Sequence, residues 1–249
     1  MQNEHGISVE DFYTQATGSA RALAATLDHT LLKPEATRAQ VLQLCSEAAQ
    51  YGFACAMVNP SWVSTAAAAL AGTDVPVGVV IGFPLGASLG ESKVDEAKRV
   101  IALGAHDVDM VLNIGALKSG EYETVAADIQ NVVSVAHGRG AIVKVILENA
   151  LLNFEEKLRA SEIAVNAGAD FIKTSTGFST GGATADDIAQ MRSVAGSRCG
   201  VKASGGIRSL ADALAMLRAG ATRIGASASV RIVQELSGAA VSKAATIGY

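Results

Sequence analysis

NAGADFIKT, residues 166–174, is the stretch on which the fold turns. Its glycine stops a helix, and an apolar strand follows at once, with no room for a long connection. Two other places repeat the wording, LGAHDVDMV at 103–111 and RAGATRIGA at 218–226. Upstream of such exits, capping pairs open helices: Thr37 with Gln40 before Gly52, Ser88 with Glu91 before Gly104, and Asn153 with Glu156 before Gly168. Thr184 with Asp187 and Ser209 with Asp212 lead in the same way to Gly196 and Gly220. Strands fill the gaps at 25–32, 53–59, 75–83, 107–114, 141–148, 170–177, 200–207 and 222–227. Eight strands alternating with helices imply a parallel sheet. The pattern predicts one α/β domain over residues 1–249, a (β/α)8 TIM barrel, with a doubly wound open sheet as the alternative. A helix capped by Ser8 and Asp11 precedes it, residues 1–7 are expected to be loose, and 237–249 reads as a mobile tail ending in Tyr249.

Composition narrows the function. The formal net charge of -4 on 249 residues gives no basic footprint, which argues against nucleic acid as a partner. The uncharged stretch 75–90 is broken by Pro76 and Pro84 and falls short of the roughly 20 apolar residues of a spanning helix. No membrane partner is expected. The N-terminal residues lack an apolar run after a basic start, so the expected location is cytoplasmic. Cys45, Cys55 and Cys199 are odd in number and far apart, and read as buried small hydrophobes. His5, His29, His106 and His137 show no ligand spacing, so no metal or other cofactor is expected.

Two lysines carry the chemistry. Lys173 lies in FIKTSTGF and Lys202 in VKASGGIR, each in a β-type run beside apolar neighbours. Burial there forces an amine to find a partner or lose its proton. Strand parity places Lys173, Ser175 and Gly177 on one face, Lys202, Ser204 and Gly206 on the equivalent face of the next strand, and Asp107 with Asp109 on the inner face of theirs. Neighbouring strands are about 4.8 Å apart, so the two amines approach and both cannot comfortably stay charged. Imine chemistry requires an uncharged lysine, and lowering a pKa from about 10.4 by about 3 units requires roughly 4 kcal/mol. Asp109 would move protons on and off an adduct. The alternative is a structural ion pair between one lysine and Asp109.

Glycine-rich turns at three successive strand ends suggest a phosphate site. GFSTGG follows one strand, SGGIR the next, and GAS the last; Gly205 and Gly206 permit close approach, with Ser204, Ser227 and Arg208 as further donors.

The chain resembles the deoxyribose-phosphate aldolases, class I aldolases of the (β/α)8 fold. The resemblance is carried by LDHTLLKPEAT (27–37), AMVNPSWV (56–63), VIGFPLG (80–86), DVDMVLNIGALKSG (107–120), VKVILE (143–148), GADFIKTSTGF (168–178), VKASGGIR (201–208) and RIGAS (223–227). It implies reversible cleavage of 2-deoxy-D-ribose 5-phosphate to D-glyceraldehyde 3-phosphate and acetaldehyde, with the sugar phosphate and aldehydes as small-molecule partners, and it leaves a homo-oligomer open. It further implies that Lys173 forms the Schiff base, that Lys202 lowers its pKa and relays protons, and that Asp109 is the partner in proton transfer. Asp28, Lys144, Thr176, Gly177, Ser204, Gly205, Gly206, Arg208, Gly225 and Ser227 form the implied substrate-binding set. Ser227 is followed by Ala228 where many members have a second serine, and Phe178 stands where some have lysine. Two rivals remain at this stage: another enzyme using the same amine, including a pyridoxal phosphate enzyme anchored on Lys173, and a sugar-phosphate sensor without turnover.

Overall fold

In the computed structural model, which describes residues 1–238, eight parallel strands close into a barrel. They are β1 (Leu27–Leu31), β2 (Cys55–Val58), β3 (Val77–Ile81), β4 (Ala105–Val111), β5 (Ile142–Ile146), β6 (Phe171–Lys173), β7 (Gly200–Ser204) and β8 (Arg223–Ala226). Each pairs with the next in chain order, and β8 pairs back onto β1 through Asp28 opposite Gly225. That closure excludes the open sheet and establishes the (β/α)8 barrel.

The period-2 alternation sorts the strands' side chains into two environments. Val79, Val108, Met110, Val145, Ile172, Val201 and Ile224 join the large apolar core, which also takes in buried residues of the surrounding helices. Inside the barrel a small separate group, Leu32, Cys55, Met57 and Val80 with Phe83, lines the β1 to β3 side. The opposite side is charged. All three cysteines are buried thiols without a disulfide.

Helix entrances follow the capping chemistry at four of the five expected pairs. Thr37, Asn153, Thr184 and Ser209 each accept a hydrogen bond from the backbone N–H three residues on. Ser88 does not cap. The helix Gly90–Ala102 begins two residues beyond it, behind Leu89, so the N–H of Glu91 is out of position for the serine hydroxyl. Before the barrel, Ser8 caps Val9–Thr17 as expected, and a short helix Ala20–Ala24 follows.

Residues 1–7 are anchored, contrary to the expectation that they are loose. Asn3 is fully buried and its side-chain oxygen accepts from the N–H groups of His5 and Ile7. Glu4 reaches Arg192, a guanidinium only 2% exposed, at 3.0 Å. The remaining Arg192 donors bind the carbonyls of Gly196, Cys199 and Gly220 at 2.9 Å. A contact spanning 188 positions has no local sequence signal. Glu4→Ala is expected to destabilise the protein by about 2 kcal/mol, below the roughly 3–5 kcal/mol of a fully buried pair because Glu4 is partly exposed. The urea midpoint measures it. At the other end the helix Ser229–Ser237 runs to Gly238, and the tail expected beyond it, with Tyr249, lies outside the described residues.

Candidate active site

Register brings the charged side chains together. Asp109 lies opposite Lys144, Ile146 opposite Lys173, Lys173 opposite Lys202, and Lys202 opposite Arg223. Asp109 is the hub: its Oδ2 accepts from Lys173 Nζ at 2.8 Å and from Lys202 Nζ at 2.7 Å. Lys202 also donates to Asp28 Oδ2 at 2.5 Å, and Arg223 holds Asp28 Oδ1 at 2.9 Å. Lys144 donates to Asp107 Oδ2 at 2.5 Å and sits 3.2 Å from Asp109 Oδ1. Gly225 makes space for this arrangement, since a Cβ there would lie 3.1 Å from Lys202 Cε.

Charge counting explains which amine is unusual. Four cations, Lys144, Lys173, Lys202 and Arg223, face three carboxylates, Asp28, Asp107 and Asp109. Full ionisation leaves one positive charge uncompensated in a region taken out of water. Lys144 touches three carboxylates and Lys202 touches two, so their pKa values are pushed up despite burial. Among the described residues Lys173 touches one carboxylate, Asp109, and its pKa is lowered to about 8. Burial is the main cause, and the Lys202 charge adds a smaller push. Both causes are those the sequence expectation names, and of the two burial outweighs the neighbouring lysine to which the family resemblance assigns the effect. The lysines hold all three carboxylates below their usual range against the opposing effect of burial. Asp28, Cys55 and Asp107 place potential ligand atoms within 4.8 Å of one another, but ammonium and guanidinium groups already engage both carboxylates, and burial pushes the Cys55 thiol well up.

The mouth above β6 to β8 is rich in unengaged backbone donors. The N–H groups of Gly177, Gly205, Gly206, Ser227 and Ala228 make no hydrogen bond among the described residues. Gly205 and Gly206 hold φ of 85° and 80°, a region that L side chains avoid, which turns the chain so that consecutive amides are exposed. Several side-chain expectations change here. Ser204 Oγ donates to the Ser175 carbonyl, and Thr176 Oγ1 donates to Glu148, so neither hydroxyl proton is available to a ligand. Arg208 is exposed. Asp28 is fully buried with both oxygens engaged, and Lys144 contacts carboxylates but not Lys173, so both act within the charge cluster.

A family model described as DeoC/LacD family aldolase matches residues 22–245. The chain belongs to the DeoC/LacD family of aldolases. A Geobacillus protein named deoxyribose-phosphate aldolase is 59% identical over 212 residues, spanning 85% of this chain and 95% of that one. One from Halalkalibacterium halodurans is also 59% identical, over 215 residues, 86% of this chain and 96% of the relative. Among solved structures, the tetrameric deoxyribose phosphate aldolase from Aeropyrum pernix superposes with a TM-score of 0.84 at 36% identity, covering 93% of this chain and 99% of that chain.

Three residues of this aldolase's cluster escaped the sequence reading as site residues. Asp107 was placed on the inner face but given no role, although it neutralises Lys144. Arg223 shares parity with Gly225 on β8, so the same alternation count could have found it. Its guanidinium stacks 5.2 Å from the Phe171 ring at the lower end of the charged cluster. Glu148 lies two residues beyond the end of β5 and carried no sequence signal beyond its place in VKVILE. His29 points away from Asp28 and onto Glu47 at 2.8 Å.

Proposed function

We propose that this aldolase reversibly cleaves 2-deoxy-D-ribose 5-phosphate to D-glyceraldehyde 3-phosphate and acetaldehyde through a Schiff base on Lys173. The observation that carries the reading is a buried lysine with a pKa lowered to about 8, hydrogen-bonded to the carboxylate it shares with a second, charged lysine. At pH 7 roughly a tenth of such an amine is unprotonated, roughly 300 times more than for a lysine at 10.5.

In this reading Lys173 Nζ adds to C1 of the open-chain sugar, and Lys202, held protonated, is the acid that carries the carbinolamine oxygen away as water. The C3 hydroxyl then loses its proton towards Asp109, whose Oδ1 accepts no hydrogen bond in the resting site. The C2–C3 bond breaks, its electron pair moves to C2 and the iminium becomes a neutral enamine. Glyceraldehyde 3-phosphate departs. Protonation at C2 and addition of water release acetaldehyde and regenerate the amine.

Charge balance favours the bond-breaking step. With Lys173 neutral the three carboxylates match the three remaining cations; the iminium adds a positive charge and the enamine removes it. The phosphate is held by the unengaged amides of Gly177, Gly205, Gly206, Ser227 and Ala228, which makes remote binding energy available to orient C3. A second serine after Ser227 is not required for that cradle.

Borohydride reduction in the presence of acetaldehyde, followed by peptide mass spectrometry, tests the proposal. An ethyl group on Lys173 is expected; no adduct on folded protein that also leaves the sugar phosphate uncleaved would overturn it. The pH profile supplies an independent check. Only the unprotonated amine attacks, so kcat/KM is expected to be level above about pH 8 and to fall tenfold per unit below it. A cytoplasmic location and an assembly of identical copies belong to the same proposal, the latter resting on the tetrameric relative; light scattering measures the assembly.

A further inference from the structure

Glu148 is the one non-glycine residue with positive φ among the described residues, at φ 57° and ψ 62°. Backbone in that region is disfavoured for a side chain with a Cβ, and persists where the surroundings over-determine it. What holds Glu148 there is visible. It lies one residue past Leu147 after the end of β5, it is 2% exposed, and its Oε2 accepts both the N–H of Thr176, at 3.2 Å, and the Thr176 hydroxyl. The hydroxyl, having donated its proton, accepts the N–H of Phe178 at 3.0 Å. The carboxylate therefore draws the amides of Thr176 and Phe178 inward. Between them Gly177, at φ 86°, keeps its N–H unengaged at the mouth beside those of Gly205 and Gly206.

We propose that Glu148 is a positioning residue that shapes the turn at 176–178 to receive the substrate's phosphate. This rests on the aldolase reading above and identifies what sets the phosphate end of that site. Glu148 need not touch the phosphate. Its carboxylate fixes the polarity of two successive hydrogen bonds, and so decides which of three consecutive amides faces the ligand.

The test separates the carboxylate from the backbone strain. Glu148→Gly accepts the left-handed conformation and removes the whole side chain, carboxylate included, while Glu148→Gln keeps the side chain and an acceptor oxygen for Thr176. Steady-state kinetics are measured with 2-deoxyribose 5-phosphate and with unphosphorylated 2-deoxyribose, and inorganic phosphate serves as a competitive inhibitor. For Glu148→Gly we expect KM for the phosphorylated sugar to rise at least tenfold and inhibition by inorganic phosphate to weaken equally. The ratio of kcat/KM between the two sugars should fall tenfold, and Glu148→Gln should restore most of it.

An unchanged ratio, or equal losses on both sugars, overturns the proposal. If circular dichroism shows Glu148→Gly unfolded, Thr176→Val against Thr176→Ser decides by the same ratio, because valine cannot link Glu148 to Phe178. Failure of the wild-type protein to trap acetaldehyde on Lys173 or to cleave either sugar would instead bring down the aldolase reading itself.

Discussion

Lys173→Ala is expected to lower kcat/KM for cleavage of 2-deoxyribose 5-phosphate by at least about 10⁴-fold. Without the imine there is no electron sink for the pair released at C2, and no other described lysine in the cluster can take over. Lys202 and Lys144 are held in the charged form by two and three carboxylates respectively. The fold should survive, because losing the amine brings the remaining cations level with the carboxylates. A coupled assay for glyceraldehyde 3-phosphate measures the rate, and an unchanged urea midpoint confirms that the loss is chemical. Residual activity within tenfold of wild type would remove Lys173 from the mechanism.

Asp109→Ala should be damaging in both respects. It removes the carboxylate shared by three lysines and leaves four cations facing two acids inside the barrel. Breaking a buried ion pair in this way is expected to destabilise by roughly 3–5 kcal/mol. Part of that loss should be relieved by neutralising Lys173, the amine that loses its only partner. The variant is therefore expected to be more stable at pH 9 than at pH 7. The sign follows from the folded-state pKa lying below that of the unfolded chain, so that unfolding takes up a proton and is opposed as pH rises. Turnover should drop at least about 100-fold, since Lys173 loses its proton-transfer partner. Denaturant titrations at the two pH values, beside the coupled assay, check stability and rate separately.

The barrel was legible because its signals are local and repeated. Glycine exits leading into apolar strands need only a few residues each, and five of them among eight strands leave little choice of architecture. Parity likewise put Lys173, Lys202 and Asp109 into one interior, and β6 to β7 register confirms the neighbourhood. What stayed hidden was long-range. Glu4 pairs with Arg192 and Glu148 with Thr176 across 188 and 28 positions, and the engagement of both Asp28 oxygens depends on closure of the ring, which brings β7 and β8 to β1. Ser204 shows the same limit on a smaller scale: a hydroxyl at a strand end reads as a donor, but the Ser175 carbonyl on the adjacent strand takes it. Burial and a neighbouring cation were both legible as causes of the Lys173 shift, but their relative weight was not, because the balance between desolvation and the Asp109 charge depends on depth.

The anchored N-terminal segment bears on the order of traffic through the molecule. Glu4, His5 and Phe12 pack under the barrel, where Phe171 and Arg223 face them across a small cavity. Lys173, 3% exposed, ends β6 at the side away from that cavity, the side where the amides proposed to hold the phosphate lie. In the proposed reaction a two-carbon fragment on the lysine would sit inboard of the three-carbon phosphate, like the first car parked in a narrow garage. Glyceraldehyde 3-phosphate should leave first and acetaldehyde last, and in synthesis acetaldehyde should enter before its acceptor. Product-inhibition patterns would display that sequence as competitive inhibition by acetaldehyde against the sugar phosphate, with noncompetitive inhibition by glyceraldehyde 3-phosphate.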